Sequence, residues 1–126
     1  MPKLCFDELS SRVIGCAIEV HKTLGPGLLE SAYEQCLAYE LSCLKIPFRT
    51  QVAMPVEYKG VKIDCGYRID VLLEDNLIVE LKSVENVSDV HKAQLLTYMK
   101  LSKAKIGLLI NFNVRLLKDG IQRFVI

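Results

Sequence analysis

Apolar residues Leu9, Val13, Cys16, Ala17, Val20 and Leu24 recur at steps of three and four, a spacing that predicts an amphipathic helix over residues 6–23. The turn Leu24-Gly25-Pro26-Gly27 ends it. A second helix is expected from there to about Leu44, burying Leu29, Ala32, Tyr33, Cys36, Leu37 and Leu41 before Ile46-Pro47 breaks the pattern. Beyond that point the period shortens to alternation. Strands are predicted over residues 49–58 and 61–73, joined at Lys59-Gly60, with another over residues 77–84 after Glu74-Asp75-Asn76, together a three-strand antiparallel meander. Ser88 or Asp89 can cap a third helix over residues 90–101, because a short side-chain oxygen there accepts a bond from the first turn. The run Ile106-Gly107-Leu108-Leu109-Ile110-Asn111-Phe112 predicts a strand buried on both faces, the habit of parallel strands under helices. Asp119-Gly120 marks a turn into an edge strand over residues 121–126. This order predicts an α/β fold, a mixed sheet with helices on its faces. No repeat or linker divides residues 1–126, so a single domain is expected.

Composition works mainly by exclusion. At 51% hydrophobic residues the chain can bury one core, and 16 basic against 15 acidic residues give a net charge of +1, which signals neither nucleic acid nor membrane globally and allows a local basic patch. Cys5, Cys16, Cys36, Cys43 and Cys65 have apolar neighbours and no CxxC or Cys/His ligand spacing. They are read as reduced core residues; a redox protein would instead need two or more of them to converge. No stretch has the apolar segment of a signal peptide or the length of a membrane span, so a cytoplasmic protein with no membrane partner is expected. No Gly-rich loop follows a strand, which removes the main support for dinucleotide or Walker-type phosphate binding.

Charge inside apolar strands is what a core does not explain. Glu80 and Lys82 share a face of Leu77-Ile78-Val79-Glu80-Leu81-Lys82-Ser83-Val84, and Asp70 stands in Arg68-Ile69-Asp70-Val71-Leu72-Leu73. A charge buried in a sheet needs a partner, hydrogen bonds or a metal to offset its desolvation. A loop over residues 74–76 pairs Leu73 with Leu77 and sets Asp70 opposite Glu80, whereas a tighter Asp75-Asn76 turn opposes Asp70 to Leu81 and sends the carboxylate to the other face. In the first register two carboxylates and an ammonium suit Mg2+ or Mn2+. The chemistry best served is then phosphodiester hydrolysis, with a metal-activated water that Lys82 orients or deprotonates. Each residue also has a plainer reading. A bare Glu-x-Lys is more often an ion pair on a solvated edge strand, Glu30 and Glu34 a solvated helix face, and Gln94 with Tyr98 a helix-surface pair. His21 suits a cap on helix-terminal carbonyls and His91 the surface of a helix N-terminus. Arg49, Lys62, Arg68, Lys92 and Arg115 read either as phosphate contacts or as ordinary solvated charge.

Asp70 followed by Glu80-Leu81-Lys82 resembles the PD-(D/E)xK nuclease signature, and the element order is similar to that superfamily's restriction-endonuclease-like core. The proline of the signature is absent, since Ile69 precedes Asp70. More narrowly, Gly27-Leu28-Leu29-Glu30-Ser31-Ala32-Tyr33 resembles the motif of the small bacterial GxxExxY proteins. That likeness extends through Val20-His21-Lys22, Ala93-Gln94-Leu95-Leu96-Thr97-Tyr98, residues 107–112 and Gly120-Ile121, most of the chain. The resemblance implies a nuclease acting on DNA, or less readily RNA, with Mg2+ or Mn2+ as cofactor. It implies metal ligation by Asp70, Glu80 and the carbonyl of Leu81, a catalytic role for Lys82 and a further acidic ligand in Glu30. Gln94 and Tyr98 are similar to the QxxxY element of RecB-like members and would hold substrate or the metal shell; some such members place a histidine near the metal, the functional alternative for His21. A homodimer or a partner protein would supply a wider footprint. The alternative is a catalytically idle member of the fold that binds nucleic acid or a protein.

Overall fold

The structure is a computed structural model that describes residues 6–126; Cys5 lies outside them. Helix α1 (Phe6–Leu24) buries Leu9, Val13, Cys16, Ala17 and Val20, as their spacing predicts. After the turn, α2 (Glu30–Cys43) buries Tyr33, Leu37 and Leu41. The expected burial of Leu29 is not seen: it is the extended residue just before the helix and is 78% exposed. Tyr33 holds the turn instead. Its hydroxyl donates to the Gly25 carbonyl at 2.6 Å and accepts from the Leu28 N–H at 3.1 Å, while its ring stacks on Phe112 at 4.3 Å.

The rest of the chain builds β1 (Arg49–Ala53), β2 (Val56–Tyr58), β3 (Val61–Ile63), β4 (Arg68–Leu73), β5 (Leu77–Lys82), α3 (Asp89–Ser102), β6 (Ile106–Asn111) and β7 (Ile121–Val125). The main sheet runs β1-β4-β5-β6-β7 and is antiparallel except for the parallel pair β5–β6. The expected long strands over residues 49–58 and 61–73 are each broken in two. Pro55 has no N–H for a ladder, and Gly66 at φ 82° turns the returning chain, so β2 and β3 form a separate hairpin beyond the sheet. The meander itself stands, as β1, β4 and β5, and the buried strand β6 lies parallel with edge strand β7 beside it.

Apolar side chains fill both faces of the sheet. Val71, Leu73, Val79, Leu81, Leu108 and Ile110 pack with α1 and α2, whereas Leu72, Ile78 and Leu109 pack with Leu95, Tyr98 and Met99 of α3. Helix α3 is capped as expected at Ser88, whose hydroxyl accepts from the His91 N–H while the His91 imidazole accepts from the Ser88 N–H. Two glycines permit close approaches: a Cβ on Gly107 would stand 2.6 Å from the Met99 sulfur, and one on Gly120 would stand 2.1 Å from the Asn111 carbonyl oxygen. Of the cysteines, Cys16 is buried and Cys36 partly so, but Cys43, near the end of α2, and Cys65, between β3 and β4, are exposed, which corrects the expectation of an all-core set. Among the described residues no helix is long and apolar enough to cross a membrane.

Candidate active site

Leu73 pairs with Leu77 and Val71 with Val79, the register in which Asp70 stands opposite Glu80. At that point the strands part. The backbone ladder between β4 and β5 stops at Val71↔Val79, and side chains take its place: the Asp70 N–H donates to Glu80 Oε1 at 3.2 Å and the Leu81 N–H to Asp70 Oδ2 at 2.9 Å. The alternation of β4 slips here too. Ile69 and Leu72, three residues apart, both pack on the α3 side, which a regular strand would not allow. The result is an opening in the sheet edged by two carboxylates. Because the N–H and C=O of one strand residue point to the same side, the Leu81 carbonyl faces this opening with its N–H.

Glu80 is 4% exposed, and its carboxyl is pushed up to about 8, first by burial, then by the charge of Asp70; Lys82 acts in the opposite sense. Lys82 ends β5 half-buried and near enough to favour ionised Glu80, although among the described residues its ammonium makes no ion pair. Burial raises the Tyr98 phenol, with the charges of Glu80 and Asp70 adding to the effect. Gln94 donates to the Tyr98 hydroxyl at 3.1 Å, so these two residues meet each other.

Glu30, Ser31, Glu34, Gln51, Asp70 and Leu81 line a cleft of about 350 Å³ over the opening. Glu30 is exposed at the start of α2. Glu34, one turn further on, is the carboxylate tied to Asp70, through a residue to which the sequence drew no attention. Gln51 lies opposite Asp70 in β1, and its amide donates to Glu34 Oε1 at 2.5 Å and to Asp70 Oδ1 at 3.3 Å. Its φ of 52° is a left-handed conformation that side chains other than glycine rarely adopt inside a strand. Burial raises the Glu34 carboxyl, the Gln51 bond lowers it, and the charge of Asp70 raises it again. Nothing in the sequence singles Gln51 out, since a glutamine in a polar edge strand looks like solvated surface.

Other candidates fall elsewhere. His21 is buried, and its Nε2 lies 2.7 Å from the Val114 carbonyl, so it ties α1 to the segment after β6 instead of capping its own helix. Arg49 and Arg68 are engaged by Asp75 and Asp64, so those two expected phosphate contacts carry carboxylate partners. Ser83, next to Lys82, donates to the Leu28 carbonyl at 2.6 Å and so fastens the glycine-proline turn to the end of β5.

The oxygen donors at the opening fit a hard divalent cation. Two carboxylates meet there, one of them the buried Glu80, which among the described residues makes no ion pair, and a backbone carbonyl joins them. Among the described residues no group of three or more acidic, histidine or cysteine side chains could hold a metal ion, so the fit rests on two carboxylates and one carbonyl. A helix-flanked mixed sheet that opens over such a pair, with a lysine beside it, is a nuclease-type architecture. A family model of the PD-(D/E)XK nuclease superfamily matches residues 7–124, and the chain belongs to that superfamily, with its restriction-endonuclease-like fold. Members generally use divalent metals and act on nucleic acid. No curated protein and no solved structure matches the chain.

Proposed function

We propose that this protein is a divalent-metal-dependent nuclease of the RecB-like, GxxExxY type that hydrolyses phosphodiester bonds in DNA. The observation that carries the reading is the parting of β4 from β5 over Asp70 and Glu80, with Lys82 two residues on along the same strand. Asp70, Glu80 and the Leu81 carbonyl hold Mg2+ or Mn2+; when bound, the ion lowers the pKa of a coordinated water and offsets charge on the scissile phosphate. Lys82 orients the attacking water and accepts its proton or steadies the developing negative charge. Glu30 or Glu34 completes the acidic side of the site, with Gln51 fixing Glu34 against Asp70. Gln94 and Tyr98, joined by their own hydrogen bond, steady Glu80 from the α3 side and meet the substrate.

Cleavage of plasmid, linear duplex, single-stranded DNA and RNA with Mg2+ or Mn2+ tests this reading. Wild type cuts DNA only with metal, Asp70→Ala loses cleavage, and Lys82→Ala falls by about 10²–10⁴-fold, the range expected for a positioned proton-transfer group. Activity unchanged in folded Lys82→Ala, or no cleavage of any substrate by wild type, sinks it, the latter in favour of the idle, binding-only member.

A further inference from the structure

A second cleft, of about 650 Å³, opens between the C-terminal turn of α1 and the segment that follows β6. Lys22, Arg115 and Lys118, all exposed, stand around a partly apolar lining that includes Ile18, Pro26 and Leu116. No carboxylate lines it, although basic and acidic residues nearly cancel over the chain, and among the described residues none of these three cations makes an ion pair. The wall is fixed from within. His21 bonds the Val114 carbonyl immediately before Arg115, and the close approach of Gly120 to Asn111 pins the other end of the segment.

This cleft and the carboxylate opening lie at one end of the sheet. Strands β5 and β6 are parallel with Lys82 level with Asn111, so the chain leaves β6 toward Arg115 at the end where β5 presents Lys82. Gly25 and Pro26 belong to the cleft, and Leu28 of the same turn is bonded to Ser83, next to Lys82. Three residues span at most about 11 Å, which keeps the cleft within roughly 20 Å of Lys82, a few nucleotides along a strand.

Resting on the nuclease reading, we propose that this cleft receives the phosphodiester backbone of the nucleic acid whose scissile bond lies at the carboxylates. Lys22, Arg115 and Lys118 neutralise successive phosphates and more than offset the negative carbonyl end of α1; Ile18, Pro26 and Leu116 contact sugars or an unstacked base. An acidic polypeptide offers charge without that sugar and base surface.

Fluorescence anisotropy with labelled single-stranded and duplex oligonucleotides, in a metal-free Asp70→Ala background that cannot cut, tests the proposal. Arg115→Ala with Lys118→Ala is compared with Lys100→Ala with Lys105→Ala, exposed lysines at the opposite end of β6. The cleft pair weakens binding about tenfold or more and makes the slope of log K against log salt shallower by about 1.8 for duplex or about 1.4 for single strand; the control pair does neither. Unchanged affinity and slope in the cleft pair, equal loss in the control, no binding by the background protein, or equal displacement by poly-glutamate overturns it. Cleavage does not enter the readout. A wild type that cuts nothing yet binds through these cations removes the nuclease reading alone, and one that cuts but binds without them removes this proposal alone.

Discussion

Glu80 is the residue on which the site's response to pH turns. Its carboxyl is raised from 4.5 to about 8, so the metal-free folded chain keeps a proton that the unfolded chain gives up. That contribution to stability is complete below about pH 4.5 and is lost as pH rises to about 8. Urea midpoints of the metal-free protein therefore fall across this window on account of Glu80, Mg2+ restores stability most at the alkaline end, and Glu80→Gln flattens the fall; an equal slope in Glu80→Gln contradicts the assignment. Gln51 allows a different test. Its left-handed backbone costs about 1–3 kcal/mol, which glycine relieves and alanine does not, while both substitutions release Glu34 from Asp70. Gln51→Gly is accordingly more stable than Gln51→Ala in urea, and both bind Mn2+ more weakly than wild type. Greater stability of the alanine variant removes strain from the account.

The elements show which parts of this arrangement the sequence carried. The sequence left two β4–β5 registers open, and the structure takes the one with a loop over residues 74–76, Leu73 paired with Leu77 and Asp70 opposite Glu80. Helical periodicity located α1, and capping chemistry located α3. What was hidden depended on contacts between distant segments. The break of the long hairpin had local signals in Pro55 and Gly66, but the detachment of β2–β3 as its own small sheet is a matter of what each strand finds beside it. Gln51 reaches Asp70 and Glu34 from a strand and a helix far apart in sequence. Gly120 is similar: its need for a bare Cα arises only because Asn111 is brought against it, and Asn111 is itself committed to Val84 and Asn113. No rotamer change relieves a Cβ against a backbone oxygen. Gly120→Ala lowers stability by about 1–3 kcal/mol, seen as a lower urea midpoint with an unchanged m-value, whereas an unchanged midpoint means the packing there is looser than described.

In the molecule as a whole, the end of the sheet where β5 and β6 finish gathers the residues of the proposed site. Helix α1 ends there, α2 begins there, and the glycine-proline turn between them is pinned by Tyr33 and Ser83. Negative charge collects between β4 and β5 and positive charge in the neighbouring cleft, a separation that a net charge of +1 conceals. The proposed chemistry depends on the carboxylate opening holding a divalent cation. Titration of Mn2+ followed by electron paramagnetic resonance tests it most directly. One bound ion per chain in wild type and in Lys82→Ala, and none in folded Asp70→Ala, is the predicted result; Mn2+ binding that survives Asp70→Ala intact, or no binding by wild type, contradicts it.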